Sequence, residues 1–361
     1  MKRFITLIAA AIISASSADR ISACTGISLT SADGTTVVAR TVEWAAGPMK
    51  CGYGVYPRGY SLQSFTPTGQ NGIRCRNRYG FVGIYTEYEP FIVEGINETG
   101  LSASLFFFPE YGDFADYNPE ENSQSLCDMQ FVSWVLGNFS TIDEVKQAMA
   151  GIRLITLNHK IGSVHWRITE PGGRMVVLEV VDGIPRFYEN SLGVLTNSPG
   201  FNWHITNLNN YVNLRPGSAD NFNLNERIIL TPLSGNSGML GLPGDFTSPS
   251  RFVRAAFFQA SAPTMKTGFD TVTQAFHILN CFDIPVGLQF PDGKVPENMP
   301  SATQFTAVSD LKAMRLYYRT AWNSTIRCID LKDIDFSDVD FQSQPLDKTQ
   351  IEMVQMIKIK K

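Results

Sequence analysis

From Thr25 to Ser31 apolar and polar positions alternate, and the run stops at Ala32-Asp33-Gly34, which has the chemistry of a tight turn. The alternation resumes from Thr35 to Arg40. Period two marks a strand with one buried face, so these residues predict an antiparallel hairpin. The same pattern recurs. Phe91 to Ile96 is apolar, Asn97-Glu98-Thr99-Gly100 is a turn, and Leu101 to Phe108 predicts a buried return strand. Val164 to Thr169, Met175 to Val181 and Pro185 to Tyr188, divided by Glu170-Pro171-Gly172-Gly173 and Asp182-Gly183, predict a three-strand meander. Gly193 to Thr196 predicts one more strand, and Phe305 to Tyr318 a strand, a short turn and a strand.

Between these blocks the apolar period lengthens towards 3.6. Helices are predicted over Ser125 to Gly137, over Thr141 to Ala150 behind the cap-like Thr141-Ile142-Asp143-Glu144, over Ser250 to Ala260 after Pro249, and over Gly268 to Cys281. Sheet blocks flanking a helical middle imply an α+β layered fold, and two antiparallel sheets between helices satisfy the pattern. There is no internal repeat and no long Pro/Gly/Ser linker.

Composition narrows this little. The 361 residues are 43% hydrophobic and 18% charged with a net charge of −4, which describes an ordinary globular chain. The only basic run is Lys358-Ile359-Lys360-Lys361, so nucleic acid is not an expected partner. The four histidines are scattered and the cysteines lack close-pair spacing, so no metal site is expected. Cys51 and Cys75 could bridge; sequence alone does not decide it.

The amino terminus changes the picture more. Lys2 and Arg3 precede the apolar run Phe4 to Ile13, and small residues follow to Ala18 and Ala23. This is the layout of a removable export leader, so residues 1–23 are expected to be lost, with 19–23 a possible short propeptide, and 24–361 to form one catalytic domain. A periplasmic or secreted protein is the corresponding expectation. Cys24 would then begin the mature chain, carrying a thiol and a free amine on one residue. An alternative stays open: Ile21-Ser22-Ala23-Cys24 also fits a bacterial lipoprotein site, where acylation would block both groups and leave a surface protein that binds apolar ligands.

Several collinear segments carry a resemblance. They are Cys24-Thr25-Gly26-Ile27-Ser28-Leu29, Ala39-Arg40-Thr41-Val42-Glu43-Trp44, Glu94 to Leu101, Leu195-Thr196-Asn197-Ser198-Pro199 with Phe201-Asn202-Trp203, and Leu242 to Phe246 with Ser250 to Arg254. Together they resemble the choloylglycine hydrolase and penicillin V acylase family of N-terminal-nucleophile cysteine hydrolases. The resemblance implies a four-layer αββα sandwich and hydrolysis of a linear carbon–nitrogen amide without a cofactor. It implies Cys24 as nucleophile with its own α-amine as base, and Arg40 beside the thiol. It implies Glu43, where relatives often carry Asp, at the amine. Asn197 would donate to the oxyanion with a backbone N–H near Phe106 or Phe107, and Arg251 would complete the charge network, with Arg254 its competitor. Trp44, Phe106 and Phe107 are core residues by default and also candidates to line an apolar acyl cleft. His204 reads as structural. The implied substrates are bile salts conjugated to glycine or taurine first, then penicillin V or N-acyl homoserine lactones. A homo-oligomer, a homotetramer by resemblance, is implied, and no membrane insertion after processing.

Overall fold

The structure is a computed structural model, described for residues 22–44, 47–157, 163–290 and 295–359. Of the expected leader, residues 1–23, residues 1–21 lie outside the described residues.

Two antiparallel sheets form the centre. Numbering their strands in chain order, β1 spans Ser22–Thr30, β2 Thr36–Trp44, β3 Cys51–Tyr56, β4 Phe81–Thr86, β5 Ile92–Asn97, β6 Ser102–Phe107 and β7 Val164–Thr169. β8 spans Met175–Val181, β9 Ile184–Glu189, β10 Thr303–Asp310, β11 Arg315–Thr320, β12 Arg327–Asp330 and β13 Gln342–Pro345. One sheet runs β1-β2-β10-β11-β12 and the other β9-β8-β7-β6-β5-β4-β3-β13. Both faces of each sheet are covered, and β2, β4, β5 and β10 are accordingly buried almost along their whole lengths.

Helices supply the outer layers. α1 (Phe131–Asn138) and α2 (Ile142–Met149) join the core of the eight-stranded sheet through Phe131, Val135, Ile142 and Val145. α2 starts at a capping box, with the Thr141 hydroxyl accepting from the Glu144 N–H. α3 (Phe201–Asn207) follows the β7–β8–β9 meander, and α4 (Ser248–Ser261) and α5 (Gly268–Leu279) cover the five-stranded sheet. Phe252, Ala255, Val272 and Phe276 pack there on Ile27, Leu29, Val37 and Ala39. The result is the expected αββα sandwich.

Three local expectations change. Ser125–Cys127 opens as a strand pairing in parallel with Arg153–Ile155, so the helix begins only at Phe131. Gly193 to Thr196 forms no strand; Leu195 makes a single antiparallel bridge to Gly26. Cys51 and Cys75 carry free thiols, so that bridge is not made.

Candidate active site

The hairpin fixes the first two residues of the site. In the β1–β2 register Gly26 faces Arg40 and Cys24 faces Val42. Cys24 and Gly26 share a face because side chains alternate, so Arg40 lies diagonally across from Cys24 on the same face. Its Nη2 donates to Cys24 Sγ at 2.8 Å. The bridge from Gly26 to Leu195 is closed by Gly26 N–H to Leu195 O at 2.7 Å and the reverse bond at 3.1 Å. Counting two residues each way in antiparallel sense sets Asn197 against Cys24. There Asn197 Oδ1 accepts from the Cys24 backbone N–H at 2.8 Å.

A second cation approaches from the helical layer. Arg251, in the first turn of α4, donates to Asn197 Oδ1 at 2.7 Å, to Thr25 Oγ1 at 2.8 Å and to the Cys24 carbonyl. Its Nε is held by Phe246 O at 2.9 Å. Arg254 instead donates to Pro243 O and Asp245 O, both at 2.9 Å, which removes it from the competition. Asn197 Nδ2 donates to Phe107 O at 2.7 Å. An amide NH₂ has two protons, so the other remains for a substrate oxygen. The Phe107 backbone N–H reaches the Cys24 thiol.

Burial dominates the electrostatics. It lifts the Cys24 thiol above its ordinary range; Arg40 and Arg251 oppose the rise and Glu43 adds to it. Arg40 lies beside the thiol as expected and pulls its pKa down, but burial outweighs that pull, because desolvation penalises the charged form. Glu43, fully buried, is pushed up to about 7 by burial against the pull of Arg251 and Arg40. Its Oε1 accepts from Thr303 Oγ1 at 3.3 Å, and its backbone pairs with Ala23.

The apolar candidates divide. Phe106 is a correction: it is fully buried between the sheets, with the Arg40 guanidinium 4.1 Å and the Arg167 guanidinium 5.5 Å from its ring centre. It lines no cleft; it is the ring against which two cations stack. Arg167 is drawn down to about 10 by burial, and faces Glu94 across 3.7 Å. Phe107, the next residue along β6, is only half-buried, and Trp44 is half-buried at the end of β2. Thr25, Phe246 and Thr303 escaped sequence reasoning, because they serve through a hydroxyl or carbonyl any residue pattern could hide. A cavity of about 1220 Å³ lies elsewhere, between residues 216–242 and the faces of α4 and α5 carrying Phe258 and His277, and includes none of these groups.

A buried thiol thus stands among two arginines and an asparagine, a set of donors that suits attack on an amide carbonyl. Residues 24–346 match the family described as linear amide C–N hydrolases, choloylglycine hydrolase family. The chain belongs to the choloylglycine hydrolase family. Among its relatives, a bile salt hydrolase/transferase from Clostridium perfringens is 32% identical over 319 residues, covering 85% of this chain and 92% of the relative. Another from Lactiplantibacillus plantarum is 33% identical over 262 residues, covering 71% and 78%. A crystal structure of an arginine-to-leucine variant of conjugated bile acid hydrolase from C. perfringens superposes with a TM-score of 0.77 at 27% identity, over 93% of this chain and all of that one. A cysteine-to-alanine variant of the same hydrolase matches equally. This choloylglycine hydrolase family member is therefore a linear amide C–N hydrolase with the N-terminal-nucleophile fold.

The same relatives correct one expectation. The similarity to the C. perfringens and L. plantarum hydrolases speaks against an exported, periplasmic or secreted protein, and residues 1–21 of the stretch that suggested export lie outside those described. Among the described residues no helix is long and apolar enough to cross a membrane.

Proposed function

We propose that the chain, once residues 1–23 are removed, hydrolyses the amide of bile salts conjugated to glycine or taurine with Cys24 as nucleophile. The observation that carries this reading is the convergence on one residue: Arg40 at the Cys24 sulfur, Asn197 at its nitrogen and Arg251 at its carbonyl. The relatives named as bile salt hydrolases support the substrate. The two variants solved for the C. perfringens enzyme replace a cysteine and an arginine as far apart in sequence as Cys24 and Arg40.

The roles follow from placement. A buried thiol whose proton is held needs a base, and the α-amine of a freed Cys24, ordinarily near 7.7–8.0, is a few bonds away. Asn197 Oδ1 would orient that amine. Glu43 pairs through its backbone with Ala23, next to Cys24, and its carboxylate would meet the ammonium formed there in a charge-assisted contact. The sulfur adds to the amide carbonyl as its proton passes to the amine. The free Asn197 Nδ2 proton and the Phe107 N–H hold the oxyanion. The C–N bond breaks with the amine's proton going to the leaving nitrogen, and water clears the thioester. Trp44 and Phe107 border the acyl group. Exposed Phe222, Leu224, Ile228 and Ile229 on the projecting 222–230 hairpin support a homo-oligomer, with a homotetramer the specific form.

The test is side-by-side turnover of glycocholate, taurocholate and penicillin V, reading released amines by mass spectrometry. Free glycine or taurine with little 6-aminopenicillanic acid is expected. The reverse order would make penicillin V the substrate and overturn the bile salt assignment.

A further inference from the structure

Two fully buried histidines that the proposed chemistry leaves idle lie behind Asn197. His165, on β7, faces Thr196 O with Nε2 at 3.1 Å and Glu179 Oε1 with Nδ1 at 3.3 Å. His204, on α3, faces Asn197 O with Nε2 at 2.9 Å. A carbonyl only accepts, so each Nε2 carries a proton and donates. The His204 Nδ1 has no hydrogen-bond partner among the described residues, and burial holds this ring's pKa down to about 4, so it is the neutral, Nε2-protonated form. Each ring lies nearly parallel to a phenylalanine: His165 on Phe108 at 4.4 Å and 8°, His204 on Phe252 at 4.5 Å and 10°.

The rest of the Asn197 peptide is held too. Its N–H donates to Ser248 Oγ at 3.0 Å, and the Thr196 hydroxyl bonds the same oxygen at 3.0 Å. Glu179 Oε1, which steadies His165, also accepts from the Phe201 N–H at 2.8 Å and so ties β8 to the start of α3. Among the described residues, no ladder supports this segment beyond the single bridge at Leu195. Buried imidazoles bring a desolvation cost that Leu or Phe in the same space would not. Here that cost secures two successive carbonyls on either side of one side chain.

We propose that His165 and His204 are positioning residues, clamping the Thr196 and Asn197 carbonyls so that the Asn197 amide meets Cys24 and the β6 strand at once. The inference rests on the role proposed for Asn197. A reacting group displaced by about 1 Å can lose about a hundredfold in rate, and a segment with a single bridge has that freedom once a carbonyl is released.

His204→Phe keeps a ring on Phe252 and removes the N–H; His204→Gln returns a side-chain N–H at similar reach. kcat and KM are measured on whichever amide the wild type turns over fastest, with active chain counted by alkylatable Cys24. His204→Phe should lower kcat about ten- to a hundredfold with KM little changed, and His204→Gln should recover much of the loss. His165→Phe predicts the same through Thr196 and keeps the test intact should one variant fail to fold. In an Asn197→Ala background, His204→Phe should bring no further fall, because the group it positions is gone. An equal fall in both backgrounds, or a fall only in the count of active chain, would mean a structural role and overturn the clamp. If Asn197→Ala alone leaves kcat unchanged, the role of Asn197 is wrong, and the clamp falls with it by a different reading.

Discussion

Replacing Arg40 by Met isolates the cation from the space it fills. Arg40 is almost wholly buried, and its guanidinium meets Cys24 Sγ, Val93 O at 2.9 Å and Leu105 O. A hydrogen bond to a charged group is worth about 1.5–3 kcal/mol, and each 1.36 kcal/mol is about tenfold in an equilibrium. Burial and Glu43 already oppose the Cys24 thiolate, so losing Arg40 should cut the thiolate fraction at fixed pH by about ten- to a hundredfold. The two carbonyls would lose a donor inside the sheet pair, costing about 1–3 kcal/mol each where no water enters. The assay is the rate of Cys24 alkylation by iodoacetamide against pH, on the chain beginning at Cys24, with urea unfolding in parallel. Arg40→Lys should fall between, because an ammonium keeps the charge but not the fork that spans sulfur and carbonyls. Alkylation of Arg40→Met within twofold of wild type would refute the reasoning.

Glu43 gives a pH signature in the chain that retains Ala23. Its folded value near 7 lies above its ordinary 4.5, so the stability it contributes is fully present below about 4.5 and lost as pH rises through about 7. The loss is about 3 kcal/mol; urea midpoints across this window should fall in the wild type and flatten in Glu43→Gln. Gly26→Ala should cost about 1–3 kcal/mol, since its Cβ would lie 2.8 Å from both Arg167 Nη1 and Phe106 Cζ; thermal unfolding reads it, and an unchanged midpoint would contradict the packing. Phe252→Ala removes a fully buried ring between Phe201 and His204 and should cost about 3–5 kcal/mol by chemical denaturation.

The hairpin half of the site was legible because a tight turn fixes register. Once Ala32-Asp33-Gly34 is read as the turn, Arg40 must fall opposite Gly26 and on the face of Cys24. Arg251 and Asn197 were reachable only through resemblance, since long-range placement depends on one bridge at Leu195 and on helix α4, neither of which periodicity reveals. The same gap hid the histidine clamp, because a lone buried histidine looks in sequence like any core residue. Phe106 was misread for the opposite reason. A run of three phenylalanines reads as core and equally as cleft lining, and strand alternation decides between them, sending Phe106 inward between two guanidiniums and leaving Phe107 partly open. Ser125–Cys127 was read as helix because its strand partner, Arg153–Ile155, lies beyond any local window.

The most direct measurement compares glycine or taurine release by three proteins: the chain beginning at Cys24, the chain retaining Ala23, and the freed chain carrying Cys24→Ala. Turnover is expected from the first alone, with a thioester adduct on Cys24 trapped by acid quench. Turnover by the Cys24→Ala protein, or equal turnover with Ala23 in place, would contradict a nucleophile and base carried on one N-terminal residue.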